Sequence, residues 1–172
     1  MSARAPLPAL LAMTALSALL PGCGFHLEGH TPLPDSLRAP LLEAHDRQSD
    51  FMQSLRRALL TAGARVTEET DEASAIVHVL DDELDERVLA VSSTNLPREY
   101  ELTYKVRFSV SANGTELLAA QDVSATRDFS FDEHYLLAKT NEEQILRQAL
   151  AHDLVGVVMR RLERLPAAKP QT

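Results

Sequence analysis

The sequence is poor in the residues that build several common kinds of site. It has one cysteine, no tryptophan, five phenylalanines, three tyrosines and only six glycines among 172 residues. A single cysteine excludes an internal disulfide. There is no phosphate-binding glycine loop. So few aromatic rings also leave little material to line the deep apolar cavity of a monomeric lipid carrier.

Catalytic and metal-binding patterns are also missing. No serine stands in a nucleophile-elbow context, and the carboxylates lie in surface runs without the apolar setting that would raise a pKa. We therefore expect no enzyme, no metal site and no cofactor beyond a covalent lipid. The six histidines are scattered: His26, His30, His45, His78, His134 and His152. We expect His78, in a strand, and His152, in the last helix, to be structural or exposed.

The net charge of −8 argues against nucleic acid as a partner. The acids cluster in two runs, Glu68–Glu72 and Asp81–Glu86. We interpret both runs as solvated turns. Calcium binding is the alternative, although neither run has the spaced ligands and central glycine of a calcium loop.

The N-terminus predicts export and lipidation. Arg4 is followed by an apolar run, Leu7–Leu20, that is shorter than the roughly 20 residues of a transmembrane helix. Leu20-Pro21-Gly22-Cys23 resembles the bacterial lipobox. We expect residues 1–22 to be a signal peptide and Cys23 to carry N-acyl and S-diacylglycerol chains. Three acyl chains exceed what stable membrane anchoring requires.

The first half of the mature chain predicts a tether, a strand and a helix. Residues 23–35 are interpreted as a lipidated tether. A first strand is expected within Ser36–Ala44, where Pro40 places it at a sheet edge or at a bulge. Asp50 and Gln53 form a capping-box pattern before an amphipathic helix that ends at Gly63. Two apolar segments then predict either two strands or one strand interrupted by a bend; these are Ala75–Leu80 and Arg87–Ser93.

The clearest element is a long strand. Apolar and polar residues alternate from Glu99 to Ala112, which is typical of a strand with one buried and one wet face. Asn113-Gly114 then predicts a two-residue hairpin turn. This turn places Ala112 opposite Thr115. The return strand is expected to continue to about Phe129. It also sets Val110 opposite Leu117, Phe108 opposite Ala119 and, against the pattern, Gln121 opposite Val106.

A long helix is expected to end a single domain at residues 36–165. Thr140 and Glu143 form a second capping box, Pro166 ends the helix, and residues 166–172 form a disordered tail. The inner stripe is predicted to comprise Ile145, Ala149, Leu154, Val155, Val158 and Leu162. The fold class is α+β, with two helices packed on one face of a mostly antiparallel, roughly four-stranded mixed sheet.

Three segments together resemble the LptE family of lipopolysaccharide-assembly lipoproteins. They are Cys23-Gly-Phe-His-Leu27 after the lipobox, Arg98-Glu-Tyr100 at the start of the long strand, and Leu137–Gln144 before the last helix. The order of the predicted elements is similar as well. The resemblance covers essentially the whole mature chain.

The resemblance implies a function and two site residues. LptE proteins plug the lumen of the outer-membrane barrel LptD, assist its assembly and help deliver lipopolysaccharide to the outer leaflet. By this resemblance the chain is expected at the cell outer membrane, anchored on the periplasmic side. Lys139 matches one basic lipopolysaccharide-binding position of the family. At the other position this chain has Asn95 or a neighbour, and Arg98 lies three residues on.

Two other functions stay open from the residues alone. The chain has the features of an accessory lipoprotein subunit of another envelope lipid-transport machine, which would share the anchor and the polar strand face. A monomeric lipid carrier is the third possibility, although the sequence supplies no apolar lining for it. The protein that copurifies with the chain distinguishes the three.

Overall fold

Two α-helices lie on one face of a four-stranded mixed sheet in the computed structural model, as predicted for an α+β fold. The structure describes residues 33–130 and 136–166, with only the backbone of residues 136–139. The signal peptide, Cys23, most of the tether and all but the first residue of the tail lie outside the described residues. They stay predictions.

The sheet has the strand order β1-β2-β3-β4. The strands are β1 (Pro40–Ala44), β2 (Ala75–Val91), β3 (Pro97–Ala112) and β4 (Thr115–Ser130). β1 is parallel to β2, and the other neighbours are antiparallel. Pro40 opens the edge strand, where a residue without a backbone N–H is tolerated.

The connection from the first helix back to β2 lies along the outer edge of β1. The Thr67 backbone N–H donates to the Pro40 carbonyl over 3.1 Å, which covers part of this strand edge. The acidic run Glu68–Glu72 follows and ends in a 3-10 turn, Thr70–Glu72. For this run the prediction of a turn is confirmed.

The second acidic run, Asp81–Glu86, lies inside β2, so its prediction as a solvated turn is wrong. β2 is one continuous strand of 17 residues. A register shift just before Asp81 brings it opposite Arg107, and Glu83 faces Lys105. Opposite charges on neighbouring strands stabilise the pair, so Asp81 and Glu83 are accommodated on the wet face of the sheet.

The β3–β4 hairpin turns at Asn113-Gly114, as predicted. Both residues have positive φ, 51° and 73°, and Ala112 lies opposite Thr115. A β-branched residue at Gly114 would be strained, because L side chains avoid this conformation. The alternation of β3 is confirmed, since every second residue from Tyr100 to Ala112 is buried.

Farther from the turn, the predicted register is wrong, by one residue at Val110 and by two residues from Phe108 onward. Val110 faces Leu118 and Phe108 faces Gln121, because two register shifts add residues to β4. Val106 therefore faces Val123, and the predicted apolar mismatch with Gln121 does not occur. Two insertions return β4 to the same pleat, so its buried and wet faces are kept.

The first helix, α1 (Asp50–Thr61), begins one residue after its true cap. Ser49 is the N-cap, and its Oγ accepts from the Met52 backbone N–H at 3.1 Å. The predicted cap at Asp50 is wrong, because Asp50 is already helical and its carboxylate pairs with Arg147 at 3.0 Å. Gly63, with φ of 90°, follows the helix as predicted.

The second helix, α2 (Leu136–Leu162), starts four residues before the predicted cap at Thr140. Good helix formers, Leu136 to Lys139, extend it backward. The predicted inner position Ile145 is wrong, since this side chain is 66% exposed. Among the described side chains of the helix, Leu150 is the first that is fully buried.

The core lies between the two helices and the inner face of the sheet. Burial of these side chains is the main stabilising contribution to the fold. Its largest fully buried members are Leu37, Phe51, Leu55, Leu59, Val77, Leu102, Val106, Phe108, Val110, Leu150, Leu154 and Leu162.

Candidate functional site

The two sequence-predicted lipid-binding residues lie toward one end of the domain, opposite the Asn113-Gly114 turn. Arg98 is an exposed residue at the start of β3, next to Glu99, which pairs with the last residue of β4, Ser130. Lys139 lies in the first turn of α2, and its side chain is outside the described residues. It had been expected in a turn before the helix.

The direction of α2 follows from two contacts with β4. Arg161 donates to Gln121 over 2.6 Å, and Arg127 pairs with Asp153 over 2.7 Å. α2 therefore runs antiparallel to β4. Its N-terminal turn points toward the end where β4 finishes and β3 begins.

The name hairpin tip is given to residues 88–98, which comprise the end of β2, the β2–β3 connection and the start of β3. Its turn is well hydrogen-bonded: the Ser92 N–H donates to the Leu96 carbonyl over 2.8 Å, and the Asn95 N–H donates to the Ser92 carbonyl over 3.0 Å. Asn95 has φ of 62°, a conformation that asparagine tolerates better than most residues. The Ser92 and Thr94 hydroxyls lie 2.7 Å apart.

The hairpin tip exposes large apolar side chains, which sequence reasoning assigned only to a strand. Val91 is 56% exposed and Leu96 is 48% exposed, and two further apolar residues of the tip are similarly open, Val88 and Leu89. Alternation alone predicts burial for such residues. What the sequence did not reveal is that these four side chains are exposed in the folded domain.

The hairpin tip stands on a stacked aromatic pair. Tyr100 of β3 and Phe129 of β4 lie opposite each other, with ring centroids 5.2 Å apart and an interplanar angle of 17°. Both rings are buried. This contact joins β3 to β4 next to the tip, since stacked rings attract each other beyond the contribution of the area they bury.

A polar cluster joins α1 to the middle of the sheet. The carboxylate of Asp82 accepts hydrogen bonds from the Tyr104 hydroxyl, at 2.6 Å, and from the Ser49 hydroxyl. Burial raises the pKa of the Tyr104 phenol, and the hydrogen bond and charge of Asp82 raise it further. The phenol thus stays protonated and serves as a donor.

Three strands also bring together Glu43, His78 and Ser111. The His78 Nδ1 lies 3.0 Å from Glu43 Oε2, and its Nε2 lies 2.9 Å from Ser111 Oγ. The order of groups resembles a hydrolase triad, but the three residues lie within strands that are paired in the sheet. It therefore lacks the convergent donors of an oxyanion hole, and we interpret it as a cross-strand link.

The remaining polar cleft is structural. Arg47 and Arg56 both pair with Glu68 at a cleft of about 230 Å³ beside α1. All three side chains are about half exposed, so each pair contributes little to stability. Among the described residues no cluster of histidine, cysteine and carboxylate groups is arranged to hold a metal ion.

In the described ranges, no helix combines the length and apolar character that crossing a membrane would require.

Comparison with known proteins identifies the same family that the sequence resembles. The family model described as "LptE: Lipopolysaccharide-assembly" matches residues 42–162, which span the sheet and both helices. An LPS-assembly lipoprotein LptE from Yersinia enterocolitica is 24% identical over 162 residues, covering 93% of this chain and 78% of the relative. A Yersinia pestis protein of the same name is 24% identical over 149 residues, with coverages of 86% and 72%.

Solved structures show the same fold. A lipoprotein B from Nitrosomonas europaea superposes with a TM-score of 0.66 at 26% identity, covering 81% of this chain and 90% of that one. A minor lipoprotein from Acinetobacter baumannii gives 0.63 at 20% identity, with coverages of 78% and 98%.

Proposed function

This chain belongs to the LptE family of lipopolysaccharide-assembly lipoproteins, which are not enzymes, and on that premise we propose that it plugs an LptD-type outer-membrane barrel. In this role it assists barrel assembly and the delivery of lipopolysaccharide to the outer leaflet. The lipid on Cys23 would hold it at the outer membrane on the periplasmic side. The observation that carries the proposal is the family match over residues 42–162, which include both helices and strands β2 to β4.

The outer face of the sheet supports a plug. It carries paired charges and hydroxyls: Arg87 pairs with Glu101 at 2.9 Å, Arg107 lies 3.9 Å from Asp122, and Thr103 bonds Thr126 at 3.1 Å. A polar surface of this kind suits the wet interior of a large barrel. It needs no helix to cover it.

Copurification tests the proposal directly. The tagged full-length lipoprotein is extracted from cells with mild detergent, and its partners are identified by mass spectrometry. We expect one large outer-membrane barrel, and Cys23→Ala should reduce its yield because the unacylated chain is not held at the membrane. Recovery of an inner-membrane transporter instead would support an accessory subunit of another lipid-transport machine.

Localisation gives a second test. On a density gradient of separated membranes, the wild-type protein should sediment with the outer membrane. Gly24 follows Cys23, so no aspartate stands where an inner-membrane retention signal would be. Sedimentation with the inner membrane would contradict the proposed location.

We propose Lys139 and Arg98 as contacts for lipopolysaccharide phosphates. Lysine and arginine form charge-assisted hydrogen bonds with phosphate, and both residues belong to the same end of the domain. Lys139→Glu with Arg98→Glu should weaken lipopolysaccharide binding strongly at low salt and less at high salt, because screening already weakens the wild-type contacts there. The melting temperature should stay unchanged.

A matched control separates local contacts from net charge. Arg57→Glu with Arg164→Glu changes the charge equally, and both arginines are exposed away from this end. The control should bind lipopolysaccharide almost as well as wild type. If both double variants lose equal affinity, binding depends on overall charge, and the proposed site is wrong.

A further inference from the structure

β2 extends well beyond the strand that pairs with it at the edge of the sheet. β1 pairs only with Ala75–Val79, whereas β2 continues to Val91. Between Asp81 and Asp85, no other described segment forms a backbone hydrogen bond with the side of β2 that faces away from β3. We name this stretch the open edge. A strand edge of this kind presents N–H and C=O groups to which another strand can bind.

The direction of the backbone groups at the open edge follows from the β3–β4 turn. Ala112 and Thr115 close a two-residue turn, so they share backbone hydrogen bonds, and the direction of these groups alternates from there along β3. Even-numbered residues of β3 therefore bond to β4, and odd-numbered residues bond to β2. Glu83 and Asp85 lie opposite odd-numbered residues, so the N–H and C=O of Leu84, between them, point away from the sheet.

The carboxylates on the outer face of the open edge are not held in ion pairs. In the described part of the chain this applies to Asp81, Glu83 and Asp85, and all three are exposed. Lys105 of β3 lies opposite Glu83 without a direct ion pair. Arg107, opposite Asp81, instead lies 3.9 Å from a carboxylate of β4. The open edge therefore presents acids with which a neighbouring strand can pair.

These carboxylates determine which strand fits. The next outer-face residue, Arg87, is paired with Glu101 at 2.9 Å and ends the acidic stretch. Opposite charges that face each other on neighbouring strands stabilise the pair, and like charges destabilise it. A second copy of this chain, paired antiparallel at the same edge, places carboxylates opposite carboxylates. A strand with a cation at every second position brings one cation to each acid.

We propose that the open edge binds an extended segment of a partner protein as an added strand, and that this segment carries a lysine or arginine at every second position. The backbone of Leu84 bonds to the main chain of the segment, and the outer-face carboxylates select its side chains. β1 pairs with the same side of β2 over five residues, and the open edge has room for a pairing of similar length. The proposal goes beyond the proposed function, because it states which kind of segment the protein binds.

Two peptides of equal composition test the proposal. One has lysine and threonine in strict alternation over about eight residues, a common strand length, and the other has the same residues in two blocks. The full-length acylated protein, in nonionic detergent, is titrated with each peptide in a calorimeter. Wild type should bind the alternating peptide about tenfold more tightly, because only alternation places every lysine on the acidic face.

A pair of double variants locates the binding. Glu83→Lys with Asp85→Lys should remove the preference for the alternating peptide, because like charges then face each other. Glu69→Lys with Asp71→Lys makes the same charge change at two exposed positions of the first acidic run and should keep the preference. Thermal melts check that both variants are folded.

A chemical change in the peptide gives a measurement on the wild-type protein alone. Methylation of every second backbone nitrogen of the alternating peptide removes hydrogen-bond donors and leaves its charge unchanged. The methylated peptide should bind no better than the blocked one. Equal affinity of the methylated and unmethylated peptides would show that charge, and not strand pairing, causes binding.

Three other results overturn the proposal. They are equal binding of the alternating and blocked peptides by wild type, a preference that the Glu83 and Asp85 variant keeps, and a preference that the control variant also loses. Sedimentation of the wild-type protein covers the remaining occupant: a dimer that Glu83→Lys with Asp85→Lys dissociates would assign the edge to a second copy. None of these results affects the barrel partnership, which copurification measures separately.

Discussion

At the scale of single residues, the junction between α1 and the sheet depends on Tyr104. Its hydroxyl donates to Asp82, whose carboxylate also accepts from the helix cap Ser49. One carboxylate therefore connects the start of a helix to the centre of the sheet. A substitution at Tyr104 should change the free energy of unfolding and the dependence of this free energy on pH.

Tyr104→Phe should lower the free energy of unfolding by about 1–3 kcal/mol at pH 7, because a partly buried hydrogen bond to a charged group is lost. The raised pKa of Tyr104 means that the folded state holds the phenolic proton more tightly than the unfolded state, whose tyrosine titrates near about 10. This stabilisation is complete below pH 10 and is lost as the pH rises beyond it.

Denaturant unfolding of wild type and Tyr104→Phe at pH 7 to 11 checks both statements. The stability difference between the two proteins should be constant up to about pH 9.5 and should shrink above pH 10. The comparison cancels the titration of the other tyrosines. A difference that grows above pH 10 would contradict the raised pKa.

Phe108 provides a second test at the residue scale. Its ring is fully buried in β3. Phe108→Ala should cost about 3–5 kcal/mol, from lost burial and the cavity left behind. Denaturant unfolding measures the change, and the exposed neighbour Arg107→Ala, expected within about 0.5–1 kcal/mol, is the control. Equal effects would mean that the strand faces are misassigned.

At the scale of elements, the hairpin turn between β3 and β4 is the most localised constraint. Gly114→Val should destabilise the domain by more than about 1 kcal/mol, because a β-branched side chain is strained at φ of 73°. Apart from the adjoining residues of the chain, nothing lies within 4 Å of the added Cβ position, so the cost is conformational and not a clash. Gly114→Asn, which tolerates positive φ better, should recover most of the loss in a thermal melt.

The elements that the sequence predicted well are those fixed by local chemistry. The alternation from Tyr100 to Ala112 depends only on the period of a strand, and Asn113-Gly114 specifies its own turn. The register beyond Val110 could not be predicted, because the insertions in β4 leave no local signature. Continuity of β2 through Asp81–Glu86 was missed since it depends on cations that a neighbouring strand supplies.

The charged part of the candidate site, Lys139 and Arg98, stays a prediction, in which Lys139 comes from the family resemblance and Arg98 is the basic residue near the second family position. The exposure of the apolar residues in the hairpin tip could not be predicted, because Val88 and Val91 lie in a segment with the sequence pattern of a buried strand. Exposure depends on where the helices end above the sheet, which is a tertiary property. Ile145 was misassigned for the same reason.

At the scale of the whole molecule, the domain has two faces with different tasks. Helices cover one face of the sheet and bury the core against it, while the other face is a ladder of paired polar groups. A free periplasmic domain requires only that the outer face of the sheet be hydrated. A plug also requires that this face fit the wall of the barrel, so a bulkier side chain on the face should distinguish the two.

Thr126→Arg should therefore separate folding from fit. Thr126 is exposed on the outer face of β4, where an arginine can extend into solvent without disturbing the core. The free energy of unfolding should change by no more than about 0.5 kcal/mol, but the yield of copurified barrel should fall, because a large cation would have to enter the interface. Thr126→Ser is the control and should retain the barrel. Undiminished recovery with the arginine would mean that this face does not contact the barrel wall, and the plug would have to bind through another surface.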